Sequence, residues 1–412
     1  MRKKLLYPLL ASCLFACSDK DTSYEVVKND LRAPAYPLVT IDPYASAWSM
    51  SDNLYDSPVR HWTGKDFPLI GVVKVDGVSY RFMGTEELEM NAIVPTSQQG
   101  EWTGRYITDK PAGDWTSADY NDSGWKSDRG AFGTKENEPT AKTQWGTRNI
   151  WVRRTVNIDH DLTGIPVYLE FSNDDDAVFY INGVKIHSTG TTCNKNKVVE
   201  LSDEALAALK QGDNIIAAEC INPVGNGLLD FGLQIPKHQE TVFGNTAVQT
   251  SADVQPMQTH YAFTCGDVDL KVTFTAPLFM KDLKLLSRPV NYLTYSVAAR
   301  DGKEHDVEVY FEASPRWALD QPYQQSASEG YEADGLLYLK SGSKEQNILA
   351  KQGDDLRIDW GYFYMVSGKE NTAYSIGNST ELRKNFVNGT FNSASLAGED
   401  SNGNMALVRD YG

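Results

Sequence analysis

The chain has 412 residues, 41 % of them hydrophobic and 23 % charged. A single hydrophobic core seldom grows past roughly 250 to 300 residues, so more than one folded body is expected. Its 9 Trp, 21 Tyr and 15 Phe, beside 32 Gly and 17 Pro, exclude a disordered, collagen-like or coiled-coil chain and fit a β-rich globular one. The net charge of −16 opposes a nonspecific grip on phosphate backbones, which needs clustered cations, so nucleic acid is not an expected partner.

Arg2, Lys3 and Lys4 precede an apolar stretch from Leu5 to Ala16 that is too short to span a bilayer, the pattern of an export signal. Leu14-Phe15-Ala16-Cys17 resembles a bacterial lipoprotein signal, which implies cleavage after residue 16 and a lipid on Cys17; a plain secretory signal with a chance cysteine is the alternative. Ser18-Asp19-Lys20-Asp21 resembles the acidic tag of Bacteroidetes lipoproteins sent to the cell surface, implying an outer-membrane lipid anchor. Loss of residues 1–16 would take the charge from −16 to −19. Of the later cysteines, Cys193 and Cys220 are the one pair considered for a disulfide, although Cys220 reads equally well as a small buried apolar residue. No zinc spacing is present, and no cofactor is expected.

Residues 17–34 are polar, end in Pro and read as a spacer. Ordered structure is expected from Tyr36. Strand patterns follow at Pro37–Asp42, Leu69–Val75 and Val78–Met83, the last two joined as a hairpin by Asp76-Gly77. Between 95 and 240 the texture changes to a tryptophan-rich region with strands at Ile150–Ile158, Pro166–Phe171, Ala177–Ile181, Val184–His187 and Asn214–Asn222. Asn182-Gly183 marks a second hairpin, and Ser202–Lys210 is a short helix with Ser202 as its N-cap. From 241 to 412 the alternating runs Val268–Thr275, Val290–Ala299 and His305–Glu312 read as half-buried antiparallel strands, with Asp301-Gly302 as a third hairpin turn and no long helix.

The strings Pro37-Leu-Val-Thr-Ile-Asp-Pro-Tyr44, Trp48-Ser49, His61-Trp62-Thr63-Gly64 and Val75-Asp-Gly with Tyr80-Arg-Phe-Met-Gly84 resemble the N-terminal region of secreted glutaminase A-like proteins. Residues 241–412 resemble the β-rich region that follows in that family. The resemblance implies a longer protein in which a downstream helical domain carries much of an active site releasing ammonia from L-glutamine. Residues 95–240 resemble a galactose-binding-like jelly roll, through Trp115, Tyr120-Asn-Asp-Ser-Gly-Trp125, Gly130-Ala-Phe-Gly133, Ile150-Trp-Val-Arg-Arg154, Phe179-Tyr-Ile-Asn-Gly183 and Gly212-Asp-Asn-Ile-Ile216. The expected fold is therefore all-β, with two β-sandwich bodies, the jelly roll being inserted into a larger antiparallel β-sandwich. The expected divisions are 1–16, 17–34, 35–94, 95–240 and 241–412.

His61-Trp62 with Asp56 and Arg60 nearby, and with Asp42 and Trp48 upstream, could present a polar, aromatic-lined surface to a small polar substrate or to a neighbouring domain. A loop tryptophan capping a sandwich beside a hydrogen-bonded histidine would look the same. Asp42 and Asp56 could serve acid–base hydrolysis only at a suitable separation. Asp174, Asp175 and Asp176 could coordinate calcium through carboxylate oxygens or simply form a turn. No G-x-S-x-G string, nucleophile–base arrangement or glycine-rich phosphate loop is present. Two readings follow: a non-catalytic β-rich part of a surface-anchored glutaminase A-like hydrolase, or a carbohydrate-binding or glycan-processing surface lipoprotein that uses the jelly roll.

Overall fold

The computed structural model describes residues 32–86, 90–135, 140–159, 161–223, 225–237, 241–322, 324–350, 357–392, 397–398 and 403–412. Cys17 and the expected export signal lie outside the described residues. The fold is an all-β sandwich type made of antiparallel sheets. It divides into two compact units: one draws on residues up to 85 and on 245–412, the other is the intervening 86–244.

In the first unit, strand Leu69–Val75 lies antiparallel to Val307–Ala313 with Val73 opposite Val309, so strands from either side of the insertion share one sheet. That sheet runs Thr372–Gly377, Asn404–Asp410, Val307–Ala313, Leu69–Val75, Val78–Met83. Side chains alternate across it. On one face Val73, Phe82 and Val309 meet Tyr261, Phe263, Leu270 and Phe274 from a second sheet, formed by Val248–Gln255, Gln258–Cys265, Val268–Thr275 and Tyr292–Ala299. Met405 and Leu407 continue that core against Leu337 and Leu339 of a third sheet. The opposite face carries Tyr310 and Glu312, and helix Ser379–Val387 covers it, with the Phe386 ring 4.9 Å from Tyr310. A small sheet of Tyr36–Thr40, Ser46–Ser49 and Arg60–His61 adds Tyr36, Leu38 and Ala47 to the first core.

Two of the three expected hairpins form. Asp76 and Gly77 have φ of 50° and 81°, and Asn182 and Gly183 have 48° and 94°, the paired positive values that a type I′ turn requires. Asp301-Gly302 does not close a hairpin. Only Gly302 has positive φ, strand Tyr292–Ala299 pairs with Val268–Thr275, and Val307–Ala313 pairs in the other sheet. Asp334-Gly335, at 51° and 77°, closes a hairpin between Ser326–Ala333 and Leu336–Ser343 that sequence reading passed over. The helix Ser379–Val387 was also not expected. Its start is written in Asn378, whose Oδ1 accepts from the Glu381 amide at 3.1 Å, an N-cap with an acidic residue in the first turn.

The inserted unit stacks two six-stranded sheets around Phe132, Phe171, Phe179, Phe231, Ile150 and Val152. Strand Asn149–Ile158 turns Arg153 and Arg154 to opposite faces. Arg154 lies inside, its guanidinium 3.9 Å over the Trp102 ring and its Nη2 donating to the Pro95 carbonyl at 3.0 Å. Arg153 lies under the outer loop, donating to Asp122 Oδ2 at 2.8 Å and to the Ser117 carbonyl at 3.0 Å, beneath a cluster of Trp115, Trp125 and Trp151. Ser202 caps helix Asp203–Ala208 as expected, accepting from the Ala205 amide. Cys220 is a buried free thiol, so the Cys193–Cys220 disulfide is not formed. Burial raises the pKa of this thiol far above its ordinary value, which suits a packing role.

Candidate functional site

The segment 42–67 holds the six residues expected to form a substrate or domain-interface surface, and the first unit positions it. Asp42 folds back on its own turn, with Oδ1 accepting from the amides of Tyr44 at 2.8 Å and Ala45 at 2.9 Å. That turn aims the Pro43 carbonyl at two side chains. His61 Nε2 lies 2.9 Å from it, and Trp62 Nε1 donates to it at 2.7 Å. A carbonyl only accepts, so Nε2 carries the imidazole proton. Nδ1 then accepts from the Thr63 amide at 3.3 Å and faces Thr63 Oγ1 at 2.9 Å. This tautomer is assigned from its partners, and it leaves neither ring nitrogen open to a substrate.

His61 is 1 % exposed and Trp62 58 % exposed, so adjacent residues of one string have opposite fates. Strand alternation at Arg60–His61 sends the imidazole inward, and the next residue leaves the strand. From Trp62 a line of rings leads into the core. Trp62 to His61 is 5.7 Å, His61 to Phe67 is 5.1 Å, Phe67 stacks on Trp317 at 4.9 Å, and Trp317 stacks on Phe363 at 4.9 Å. Trp317 is held by a bond from its Nε1 to the Pro68 carbonyl at 3.0 Å. Sequence reading singled out neither Phe67 nor Trp317. Phe67 stood six residues from His61 as a plain apolar residue, and no local signal placed residue 317 beside it.

The remaining expected residues support this loop. Trp48 is half-buried with Nε1 donating to Ser46 Oγ at 2.8 Å, and Arg60 pairs with Asp66 at 3.0 Å. Asp56 accepts from Asn53 Nδ2 at 2.7 Å within its own turn. Asp42 and Asp56 thus serve separate turns, and among the described residues no hydrogen bond or common cation joins them. The loop displays exposed aromatic surface from Tyr44 and Trp62.

In the inserted unit, Asp174 ends strand Tyr168–Asp174 and Asp176 begins Asp176–Ile181. Burial, and then the neighbouring charge of Asp175, pushes the Asp174 carboxyl up to about 6. No group of three His, Cys, Asp or Glu side chains able to hold a metal is assembled among the described residues.

The class defined to this point is an all-β protein of sandwich type with an inserted second body. Residues 9–95 match a family described as a domain of unknown function (DUF4964), and residues 257–412 match another so described (DUF5127). Over 169 residues, 40 % of this chain, the sequence is 27 % identical to glutaminase A of Aspergillus oryzae; the match spans 24 % of that protein. Among solved structures, Ruminococcus gnavus β-glucuronidase aligns at 10 % identity and a TM-score of 0.26, covering 55 % of this chain and 42 % of that one. Bacteroides uniformis β-glucuronidase 2, covalently bound to cyclophellitol-6-carboxylate aziridine, aligns at 9 % identity and a TM-score of 0.29, covering 71 % and 33 %.

Proposed function

We propose that this chain is the β-rich, non-catalytic part of a glutaminase A-like hydrolase, held at the outer surface of the outer membrane by a lipid on Cys17. The observation that carries the reading is the state of the 42–64 loop. Its histidine is locked between the Pro43 carbonyl and Thr63, and its carboxylate at Asp42 is occupied by two backbone amides. Such contacts hold a surface in shape. The sequence similarity to glutaminase A supports the family assignment. In this reading the exposed Trp62 and Tyr44 form one wall for a small polar substrate, or for the helical domain that performs the chemistry in the longer protein.

Trp62→Ala in a protein extended by that domain tests the assignment. The expected result is a loss of ammonia release from L-glutamine of about tenfold or more with an unchanged melting temperature, because Trp62 is mostly exposed. His61→Ala should lower the melting temperature instead. Full activity in Trp62→Ala would remove the loop from the site.

A further inference from the structure

We infer that the loop between strands Val268–Thr275 and Tyr292–Ala299 is a contact for an anionic lipid surface, independent of any lipid on Cys17. The two strands pair directly, Thr275 opposite Tyr292, and the intervening residues project beyond the sheet. From 278 to 290 every residue except the half-buried Leu285 is exposed. Exposed with them are Phe279, Met280 at 85 % and Leu283 at 73 %, large apolar side chains that a soluble surface seldom gathers on one segment. Between them stand Lys281, Lys284 and Arg288, none with a carboxylate partner among the described residues, in a chain whose net charge is −16. The single acid of the segment, Asp282, is engaged as the cap of Leu283–Leu286, its Oδ1 accepting from the Leu285 amide at 3.0 Å.

Cations interleaved with Phe, Met and Leu complement a surface of phosphates over acyl chains. A protein partner would fit less well, because lysine is depleted at the cores of protein interfaces, whereas at a lipid surface its stem can lie along apolar groups while the ammonium reaches the headgroups. The Asp282 amide donates to the Phe279 carbonyl at 3.0 Å, Leu286 to Asp282 at 2.8 Å and Ser287 to Leu283 at 3.0 Å, so this turn brings part of its backbone to the interface already hydrogen-bonded. Its far end is pinned where Asn291 Oδ1 accepts from the Thr40 amide at 3.0 Å.

Amide hydrogen exchange on the full chain tests the contact locally, whatever else holds the protein to a membrane. The expected result is slowed exchange across 278–290 with vesicles of phosphatidylglycerol and phosphatidylcholine, and none with phosphatidylcholine alone. Neutralising Lys281, Lys284 and Arg288 together, each to Gln, should raise the lipid concentration needed for this protection by about 100-fold, at roughly fivefold per basic residue. Phe279→Ser with Met280→Ser should abolish it while leaving the far-ultraviolet circular dichroism spectrum unchanged. Unchanged exchange in 278–290 with vesicles bound would overturn the inference. So would protection that appears without lipid and grows with protein concentration, which would assign the loop to a second copy.

Discussion

Arg383 grips Glu312 with two nearly parallel hydrogen bonds, Nε to Oε2 at 2.8 Å and Nη2 to Oε1 at 2.6 Å, and both side chains are 2 % exposed. Tyr310 Oη donates to Oε2 and Asn404 Nδ2 to Oε1, each at 2.6 Å, so the carboxylate has four donors. The pair ties helix Ser379–Val387 to the outer face of the central sheet of the first unit. Removing one partner strands the other charge in a buried site, which costs about 3 to 5 kcal/mol. Glu312→Gln should therefore lower stability to urea by that amount. Glu312→Leu with Arg383→Met should be milder than either single change, since no charge is left unpaired, although Tyr310 and Asn404 still lose an acceptor. Additive losses in that cycle would contradict the pairing.

His305 is held between two carboxylates, Nδ1 to Asp76 Oδ2 at 2.7 Å and Nε2 to Asp301 Oδ1 at 2.9 Å. The bond to Asp76, then that to Asp301, raises the histidine pKa above its ordinary value. A raised pKa in the folded state means that the contribution is complete below the unfolded value, about 6.5, and fades as pH climbs through the folded value. His305→Gln should thus be less stable than the native chain at pH 5.5 to 6, and the gap should narrow toward pH 9. Melting temperatures of both proteins across that range provide the check; a constant gap would mean that the ring acts by packing alone.

The two aspartates that hold His305 also mark where the local pattern was legible and where it was not. Asp76-Gly77 and Asp301-Gly302 are the same dipeptide between apolar runs, and local chemistry treats them alike. Only the first has both residues at positive φ. Both aspartates hold His305; what separates them is that Leu69–Val75 pairs with Val78–Met83, whereas Tyr292–Ala299 and Val307–Ala313 pair in different sheets. Strand existence was legible because burial follows alternation residue by residue, as in Val268–Thr275. Strand partnership was not, because Leu69–Val75 finds Val307–Ala313 across the whole inserted unit. The site divides the same way. The string His61-Trp62 stood out as unusual, yet its inward and outward halves are distinguished by the Pro43 carbonyl and by Phe67 and Trp317, contacts that no local pattern encodes.

The proposed anchor gives a prediction that does not depend on the folded units. Cys17→Ala should remove incorporation of a fatty-acid probe and move the protein from the membrane fraction to a soluble or unprocessed form. Equal labelling of the variant would rule out lipid on this residue.

The central claim is that this chain provides a scaffold and an aromatic wall without performing the chemistry itself. The most direct test is ammonia release from L-glutamine by purified residues 18–412, with circular dichroism establishing that the sample is folded. The account predicts no turnover above a boiled control, and activity only when the chain is joined to the downstream helical domain proposed above. Sustained turnover by the isolated chain would contradict it and return Asp42, Asp56 and their neighbours to consideration as acid and base.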